Sequence, residues 1–375
     1  MNPITFIEIC KSAFDRNMRA LQAHATPQAF MMPVIKSNAY GHGLLEIAQL
    51  CQAHTAVYGM CVVALSEAVF LRVRGITKPI VVLNIIDADI AQAVHHNITL
   101  TVHSELLVRH IEQIAQQLRV RATVHVKIDV GLHRAGIVPD TITHMLTQWI
   151  RKSPSLHWQG AYTHLSDPED SALCLQQIQQ FNHTIAALAQ QNIYFDQLHY
   201  ANSGVLFMQG NERSNLIRPG IAVYGIWPSR AIEMACAQSV ARFTLVPLLS
   251  FKTTIIQTKW IAAGDAVGYN QVYSAQRPTR IGLLPVGYAD GYNRHLSNCA
   301  QVLTGSRYAP VIGRISMNLT TIDITDVVEA GEGTVVTLIG AQQPIHVSTL
   351  AQMCNTIPYE ILTGIRASLP RVMVD

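Results

Sequence analysis

Eight short apolar runs, most followed by a stretch with helical spacing, constrain this chain more than any other feature. They cover residues 32–36, 58–64, 80–84, 99–103, 123–130, 159–164, 197–201 and 217–224. Between most of them, at 66–74, 104–118, 141–152 and 171–191, apolar residues recur three and four apart, as on one face of a helix. Residues 1–10 alternate as a strand does, and 11–25 read as a helix. Strands that alternate with helices build a mainly parallel sheet, and eight of them predict a (β/α)8 barrel. A doubly wound open sheet is the competitor, weakened because no strand is followed by G-x-G-x-x-G. Several runs end in a polar residue: Lys36, Asn84, His103, Lys127 and His164, then Asn202 and Ser203. One such residue is ordinarily a turn residue. Repeated at the same phase in a barrel, they converge on one mouth, where active sites form.

The text changes near Pro228. Segments 245–261, 280–285, 307–315, 319–324 and 333–339 are strand-like, separated by glycines and short polar turns, with one helical stretch at 346–354. The expected architecture is therefore α/β: a (β/α)8 barrel over residues 1–230, then a mostly β domain over 231–375. The first strand, about 1–10, is open to packing with the β domain.

Hydrophobic residues make up 49% of the chain and charged residues 14%, a core-rich composition opposite to that of disordered chains. Net charge is +3 without a basic run, so neither nucleic acid nor a membrane surface is an expected partner. MNPITFIEIC carries no basic segment or long apolar run, and no stretch reaches 18 apolar residues, so neither a secretory signal nor a membrane span is expected. Seven scattered cysteines without a C-x-x-C pair fit reduced thiols in a cytoplasm. The sixteen histidines are scattered too; His95 and His96 adjoin in a polar turn, and no metal site is expected.

Chemistry concentrates in MMPVIKSNAYGHG, residues 31–43. A buried-strand run from Met31 to Ile35 breaks at Lys36, and Ser37, Asn38, Tyr40, His42 and two glycines follow before a helical repeat at 44–50. A lysine at a strand end of this kind is desolvated, which frees its amine as a nucleophile towards carbonyls. An isolated lysine here would be an ordinary turn residue; the polar and glycine cluster favours chemistry. KSNAYGHG resembles the pyridoxal 5'-phosphate (PLP) lysine motif of alanine racemases, and the likeness covers essentially the whole chain. It implies that Lys36 holds the cofactor covalently and that Tyr40 touches its phosphate.

Further stretches carry the same resemblance. VKIDVGLHRAGI, residues 126–137, has the family's lysine, acidic or amide residue, glycine and arginine at Lys127, Asp129, Gly131 and Arg134. The resemblance implies that Arg134 binds the cofactor's phenolic oxygen and the substrate carboxylate, a task suited to a guanidinium's fixed fork of donors. It further implies a carbamate on Lys127, which would turn a cation into an anion and orient Arg134. His164, in GAYTHLSD, and Arg218, in IRPGIAVYG, match residues that are coupled in the family, the arginine facing the cofactor's pyridine nitrogen. An arginine there cannot supply a proton to the ring, because its pKa lies at roughly 12 or more. The phosphate pocket is expected from Tyr40, Asn202, Ser203, Gly220 and Ile221, with Tyr224 as a further candidate, since barrel phosphates sit at loops seven and eight.

In the second half, Tyr269 of AVGYNQVYSA occupies the place of the family's second catalytic base. Tyr288, Asp290 and Arg294 resemble the motif that lines the entry, and Arg314 and Met317 belong to GRISMN, where the family's methionine contacts substrate. In relatives that tyrosine comes from the second subunit, so the resemblance implies a homodimer with shared active sites. Two departures stand out. Asn318 replaces the family's usual aspartate, and Ala367 falls where many relatives carry a tyrosine beside the phosphate and substrate. Ala367 is therefore expected to open the substrate pocket. The reaction implied is interconversion of L- and D-alanine by a lysine and a tyrosine, supplying D-alanine for peptidoglycan. Alternatives are a racemase of broader specificity, acting for example on serine, and a non-catalytic PLP carrier, which would lack the β domain and the opposing tyrosine. A decarboxylase of this fold would show a glycine-rich phosphate loop and a C-terminal cysteine motif, neither of which is present.

Overall fold

The computed structural model describes residues 3–238 and 244–375. The strands that organise it are β1 (Phe6–Cys10), β2 (Phe30–Met31), β3 (Met60–Ala64), β4 (Ile80–Ile85), β5 (Thr99–Val102), β6 (Ala122–Lys127), β7 (Leu156–Tyr162), β8 (Gln197–His199), β9 (Leu216–Ile217) and β10 (Leu249–Thr254). β3 to β8 form one parallel sheet in chain order. β2 pairs in parallel with β9. Bridges Met31–Val57 and Val34–Cys61 join β2 to β3, and the Arg218 N–H donates to the Ala201 carbonyl at 2.8 Å beyond β8 and β9. The eight strands β2 to β9 thus close into the expected barrel. Its strands are buried on both faces, as helix-covered parallel strands are: the neighbours Met60 and Cys61, Val81 and Val82, Thr99 and Leu100, and Val124 and His125 are all buried.

The outer helices follow from amphipathic spacing and caps. Glu105–Leu118 buries Val108, Ile111 and Ala115, one stripe at three- and four-residue intervals. Ser104 accepts from the Leu107 N–H at its start, and Arg119 ends it in the left-handed region. Burying one such aliphatic side chain is worth about 1.5–3 kcal/mol, so Ile111→Ala would open a hole in this seam.

The first and last barrel runs differ most from expectation. Regular pairing in them is only two residues long at β2 and β9. Pro33 and Pro219 lack an N–H and interrupt each ladder, although Met32, Val34 and Ile35 still donate to Ile217, Pro219 and Cys61. After Pro219 the chain turns into a short 3-10 helix, Ile221–Tyr224, rather than continuing as a strand to 224.

β1 pairs antiparallel with β10 and parallel with Arg371–Val374, both from the C-terminal part. Its alternation explains this: Ile7 and Ile9 are fully buried, while Glu8 points outward to an ion pair with Lys252 at 2.5 Å. Residues 1–2 of that expected strand lie outside the described residues. The C-terminal part holds a six-stranded sheet that includes β1 and β10, and a three-stranded sheet of Gln257–Ile261, Thr279–Leu284 and Thr320–Asp323. Helix Arg230–Gln238 follows Pro228, where a β region was expected, and buries Ile232 against Gly204 of the barrel. Residues 239–243 of the expected β region lie outside the described ones. A second C-terminal helix, Pro358–Thr363, joins Val347–Met353. Among the described residues no helix is long and apolar enough to cross a membrane.

Candidate active site

The strand ends do converge. A cavity of about 580 Å³ at the barrel mouth is lined by Lys36, Asn84, Lys127, His164, Asn202 and Ser203, joined by Tyr40, Arg134, Arg218, Gly220 and Ile221. Of the polar strand ends named from the sequence, only His103 stays outside that lining.

Lys36 introduces an unusual turn. Ser37, Asn38, Ala39 and Tyr40 all have positive φ, between 51 and 55°, and Gly41 follows at 81°. Each non-glycine residue in this region costs about 1–2 kcal/mol, so the surroundings must hold it. The Glu67 carboxylate accepts from the Ser37 N–H at 2.6 Å, and the Asn38 side chain accepts from the Leu44 N–H at 2.9 Å. Gly41 lies directly against the Leu362 carbonyl, where a Cβ would come within 2.0 Å. The turn carries Tyr40 back over the cavity beside Lys36.

The electrostatics are lopsided. Lys36, Lys127, Arg134 and Arg218 bring four cations to one cavity. Burial, then Arg134, lower the pKa of Lys36. Burial, then Arg134 and Arg218, bring Lys127 down to about 8. His164 is pushed down to about 3 by burial and by all four of those cations, and so is neutral. The nearby Asp129 carboxylate is turned away, accepting the backbone N–H groups of Gly131, His133 and Arg134 at 3.0–3.1 Å. Burial opposes its ionisation, but those three donors outweigh it and lower its pKa. They also fold the loop that brings Arg134 to the cavity. A site with this charge balance calls for an anionic ligand.

Arg218 is 3% exposed, and its partner corrects the expectation. It donates from Nε to His199 Nδ1 at 2.8 Å and from Nη2 to the Thr163 carbonyl at 2.8 Å, not to His164. His164 lines the cavity without meeting Arg218 in a hydrogen bond. His199 Nε2 lies 2.9 Å from His125 Nδ1, and His125 Nε2 lies 3.3 Å from Gln159 Oε1. Because Arg218 can only donate, His199 Nδ1 must accept; its Nε2–H donates to His125, whose Nε2–H donates to Gln159. Both histidines are thereby fixed as neutral tautomers. Burial holds His199 well below the usual histidine range and His125 at about 4. Tyr162 stacks on His199 at 4.6 Å and donates to the Leu83 carbonyl at 2.7 Å. His199, His125 and Tyr162 escape the sequence reading; the available signal is a polar residue inside a buried strand.

At the other end of the cavity, the Tyr40 hydroxyl lies against Gly220, where a Cβ would come within 2.7 Å of it. Any side chain at position 220 would press on that hydroxyl. Ser203 Oγ accepts from the Gly220 N–H at 2.9 Å, leaving its own hydrogen free to be donated. Asn202 caps helix Ser203–Gln209 by accepting from the Val205 N–H. Tyr224 does not line the cavity. Its hydroxyl is spent on the Val34 carbonyl at 2.9 Å, and its ring backs Tyr40 at 4.8 Å and His42 at 4.4 Å.

The remaining expected residues form a separate group. Tyr269, Tyr288, Arg294, Arg314, Met317 and Ala367 do not line the cavity. Tyr269 is 71% exposed and Met317 57%. Tyr288 and Ala289 donate to the carbonyls of Ser316 and Met317, and the Tyr269 turn lies on Arg314 through Gly268. Asn298 ties the two segments, accepting from the Gly313 N–H and donating to Val272. Ala367 departs from expectation: Arg371 gathers the carbonyls of Arg366, Ala367 and Leu369, and Ala367 is exposed and does not line the cavity. The same C-terminal stretch instead contributes Tyr359 and Thr363 to the lining.

The comparisons with known proteins follow the same division. The family model for the alanine racemase N-terminal domain matches residues 9–228, and that for the C-terminal domain matches 248–373. The chain is 31% identical to an alanine racemase of Methanococcus maripaludis, covering 97% of each chain. It is 33% identical to an alanine racemase of Desulfovibrio desulfuricans, covering 98% of this chain and 97% of that one. Among solved structures, alanine racemase of Clostridium difficile 630 superposes with a TM-score of 0.93 at 27% identity, covering 100% of this chain and 96% of the other.

Proposed function

From a chain that belongs to the alanine racemase family, we infer an isomerase that interconverts L- and D-alanine with PLP held in the barrel mouth. The observation that carries this reading is the cavity itself. A partly desolvated lysine amine stands near Arg134 in a cavity also lined by Lys127 and Arg218, and the same cavity holds an oxygen-sized cradle of Tyr40, Ser203 and Gly220. These residues fit PLP, an aldehyde joined to a phosphate. Lys36 would hold its aldehyde carbon, Arg218 its pyridine nitrogen, and Tyr40, Ser203, Gly220 and Ile221 its phosphate. When bound, PLP draws electrons away from the substrate Cα, so that its proton can leave.

The chain's own groups do the rest. Lys36 keeps a depressed pKa and can take a proton from one face of the substrate. Arg134 grips the substrate carboxylate. Arg218, locked by His199 and Thr163, would offer the ring nitrogen a donor but no proton. A racemase needs a second base on the opposite face. The resemblance to the family gives Tyr269 that role, with the tyrosine supplied by the second subunit, and Tyr269 stands exposed away from its own cavity. We therefore read the protein as a homodimer in which Tyr269 and Met317 complete the site of the other copy, with Arg314, Tyr288 and Arg294 supporting them. The chain divides at about residue 230 into a PLP-binding barrel and a β domain that presents this second base. The D-alanine formed would feed peptidoglycan synthesis in the cytoplasm. Lys127, drawn down to about 8 beside Arg134, is suited to carbamylation, which needs a neutral amine.

The test is an absorbance spectrum of the purified protein together with assay of D- and L-alanine interconversion. Borohydride reduction and peptide mapping should place the pyridoxyl group on Lys36. Finding it on Lys127, or finding no interconversion, would overturn the reading.

A further inference from the structure

We infer that Tyr359, from the C-terminal domain, is a phosphate ligand of the cofactor, acting beside Tyr40. This rests on the PLP reading above and concerns the phosphate end of that site. Three observations meet there. First, helix Pro358–Thr363 is docked onto the left-handed turn that carries Tyr40: Gly41 touches the Leu362 carbonyl, and Arg371 donates to the Gly41 carbonyl at 2.8 Å. Second, this docking sets the Tyr359 ring 6.0 Å from the Tyr40 ring, and both line the cavity. Third, neither phenol hydroxyl has a hydrogen-bond partner among the described residues, whereas the more deeply buried Tyr224 and Tyr162 spend theirs on backbone carbonyls. Two unpaired hydroxyls that face one cavity are free to donate to a ligand held between them.

The chemistry suits a phosphate. Burial raises Tyr359 to about 12 and raises Tyr40 as well, so both stay protonated and donate. Phosphate oxygens accept several donors at once, and donors to a charged oxygen are the strong ones. The substrate carboxylate is served at the other end by Arg134. The C-terminal domain thus closes the cofactor site of its own chain, through a residue on a helix too short to read from periodicity.

The experiment compares PLP with pyridoxal, which lacks the phosphate, by titrating apoprotein of wild type, Tyr359→Phe and Tyr40→Phe. Each substitution removes one oxygen. For Tyr359→Phe the dissociation constant for PLP should rise about tenfold or more, the effect of losing a hydrogen bond to a charged group, while that for pyridoxal stays unchanged. Tyr40→Phe should show the same selectivity. If only Tyr40→Phe is selective, Tyr359 is not a phosphate ligand and the site reading stands. If Tyr359→Phe weakens PLP and pyridoxal equally, its role is packing and the inference fails. If neither variant is selective, the phosphate end itself has been wrongly placed.

Discussion

The buried histidine relay behind Arg218 makes an acid-stability prediction that a single substitution can isolate. His125 is fully buried, its ring is wedged against Gly160 with no room for a Cβ, and it is neutral by virtue of its place between His199 and Gln159. Burial chiefly, then Arg218 against the opposing bond to Gln159, hold its pKa at about 4, against 6.5 when exposed. At pH 7 the folded and unfolded forms are both neutral there, and the group contributes nothing. As pH falls below 6.5 the unfolded chain takes up a proton that the folded chain refuses until about pH 4. Stability is therefore lost on acidification, by about 1.4 kcal/mol per pH unit in that window, or about 2 kcal/mol by pH 5. His125→Gln keeps the relay without the titration: its amide oxygen can accept from His199 and its NH2 can donate to Gln159. Urea unfolding of the holoenzyme at pH 7 and pH 5 should show that the variant loses about 2 kcal/mol less than wild type. His42, at about 4, and His164, at about 3, are also depressed by burial and should leave a residual loss in both proteins. His125→Leu, by contrast, strands the His199 Nε2–H and should cost about 1–3 kcal/mol at pH 7. Parallel acid losses in wild type and His125→Gln would refute the neutral relay.

Three further outcomes follow from the site. Arg218→Glu should slow racemisation, add a long-wavelength absorbance band with alanine and raise side transamination, because a carboxylate would keep the pyridine protonated; unchanged turnover and spectrum would remove Arg218 from that position. Tyr269→Ala should lose Cα-proton exchange mainly with L-alanine, and Lys36 variants mainly with D-alanine, with mixed inactive variants regaining activity in heterodimers; symmetric loss in Tyr269→Ala would exclude it as a base. Gly220→Ala, whose new methyl would press on the Tyr40 hydroxyl, should weaken PLP binding while leaving the protein folded by circular dichroism, and unchanged PLP affinity would mean that the cradle lies elsewhere.

What the sequence disclosed, and what it hid, has a physical pattern. The barrel and its mouth were legible because burial on both strand faces leaves uninterrupted apolar runs, so that a terminal Lys36, Lys127 or His164 stands out. Helix Glu105–Leu118 was legible because its stripe and its Ser104 cap act locally. The left-handed turn at 37–40 was not, because within Ser-Asn-Ala-Tyr only Asn38 enters positive φ readily; the rest is held there by Glu67 and by a carbonyl some 320 positions away along the chain, at Leu362. The pairing of Arg218 with His199 rather than His164 was hidden for a related reason. Both histidines follow or end barrel strands, and spacing alone cannot say which ring points at the guanidinium.

The same limit explains why the two groups proposed as bases read so differently. Lys36 declares itself through its environment: desolvation and surrounding cations are properties of its own chain, and they shift its pKa. Tyr269 sits exposed on a turn fixed by Gly268 and Asn298, away from the cations of its own chain's cavity. A phenol with an ordinary pKa near 10 is a poor base at neutral pH unless cations approach it. The barrel mouth holds four cations and the β-domain patch holds Arg294 and Arg314. Bringing the Tyr269 of one copy to the mouth of another would place the phenol beside Arg134 while covering an exposed tyrosine and methionine. Activation of the second base and burial of the patch are then one event, so racemisation should rise with dimer formation on dilution series, whereas Lys36 should remain able to capture PLP in the monomer. Racemase activity per chain that stays constant through the dissociation range, with monomer confirmed by sedimentation, would break this link.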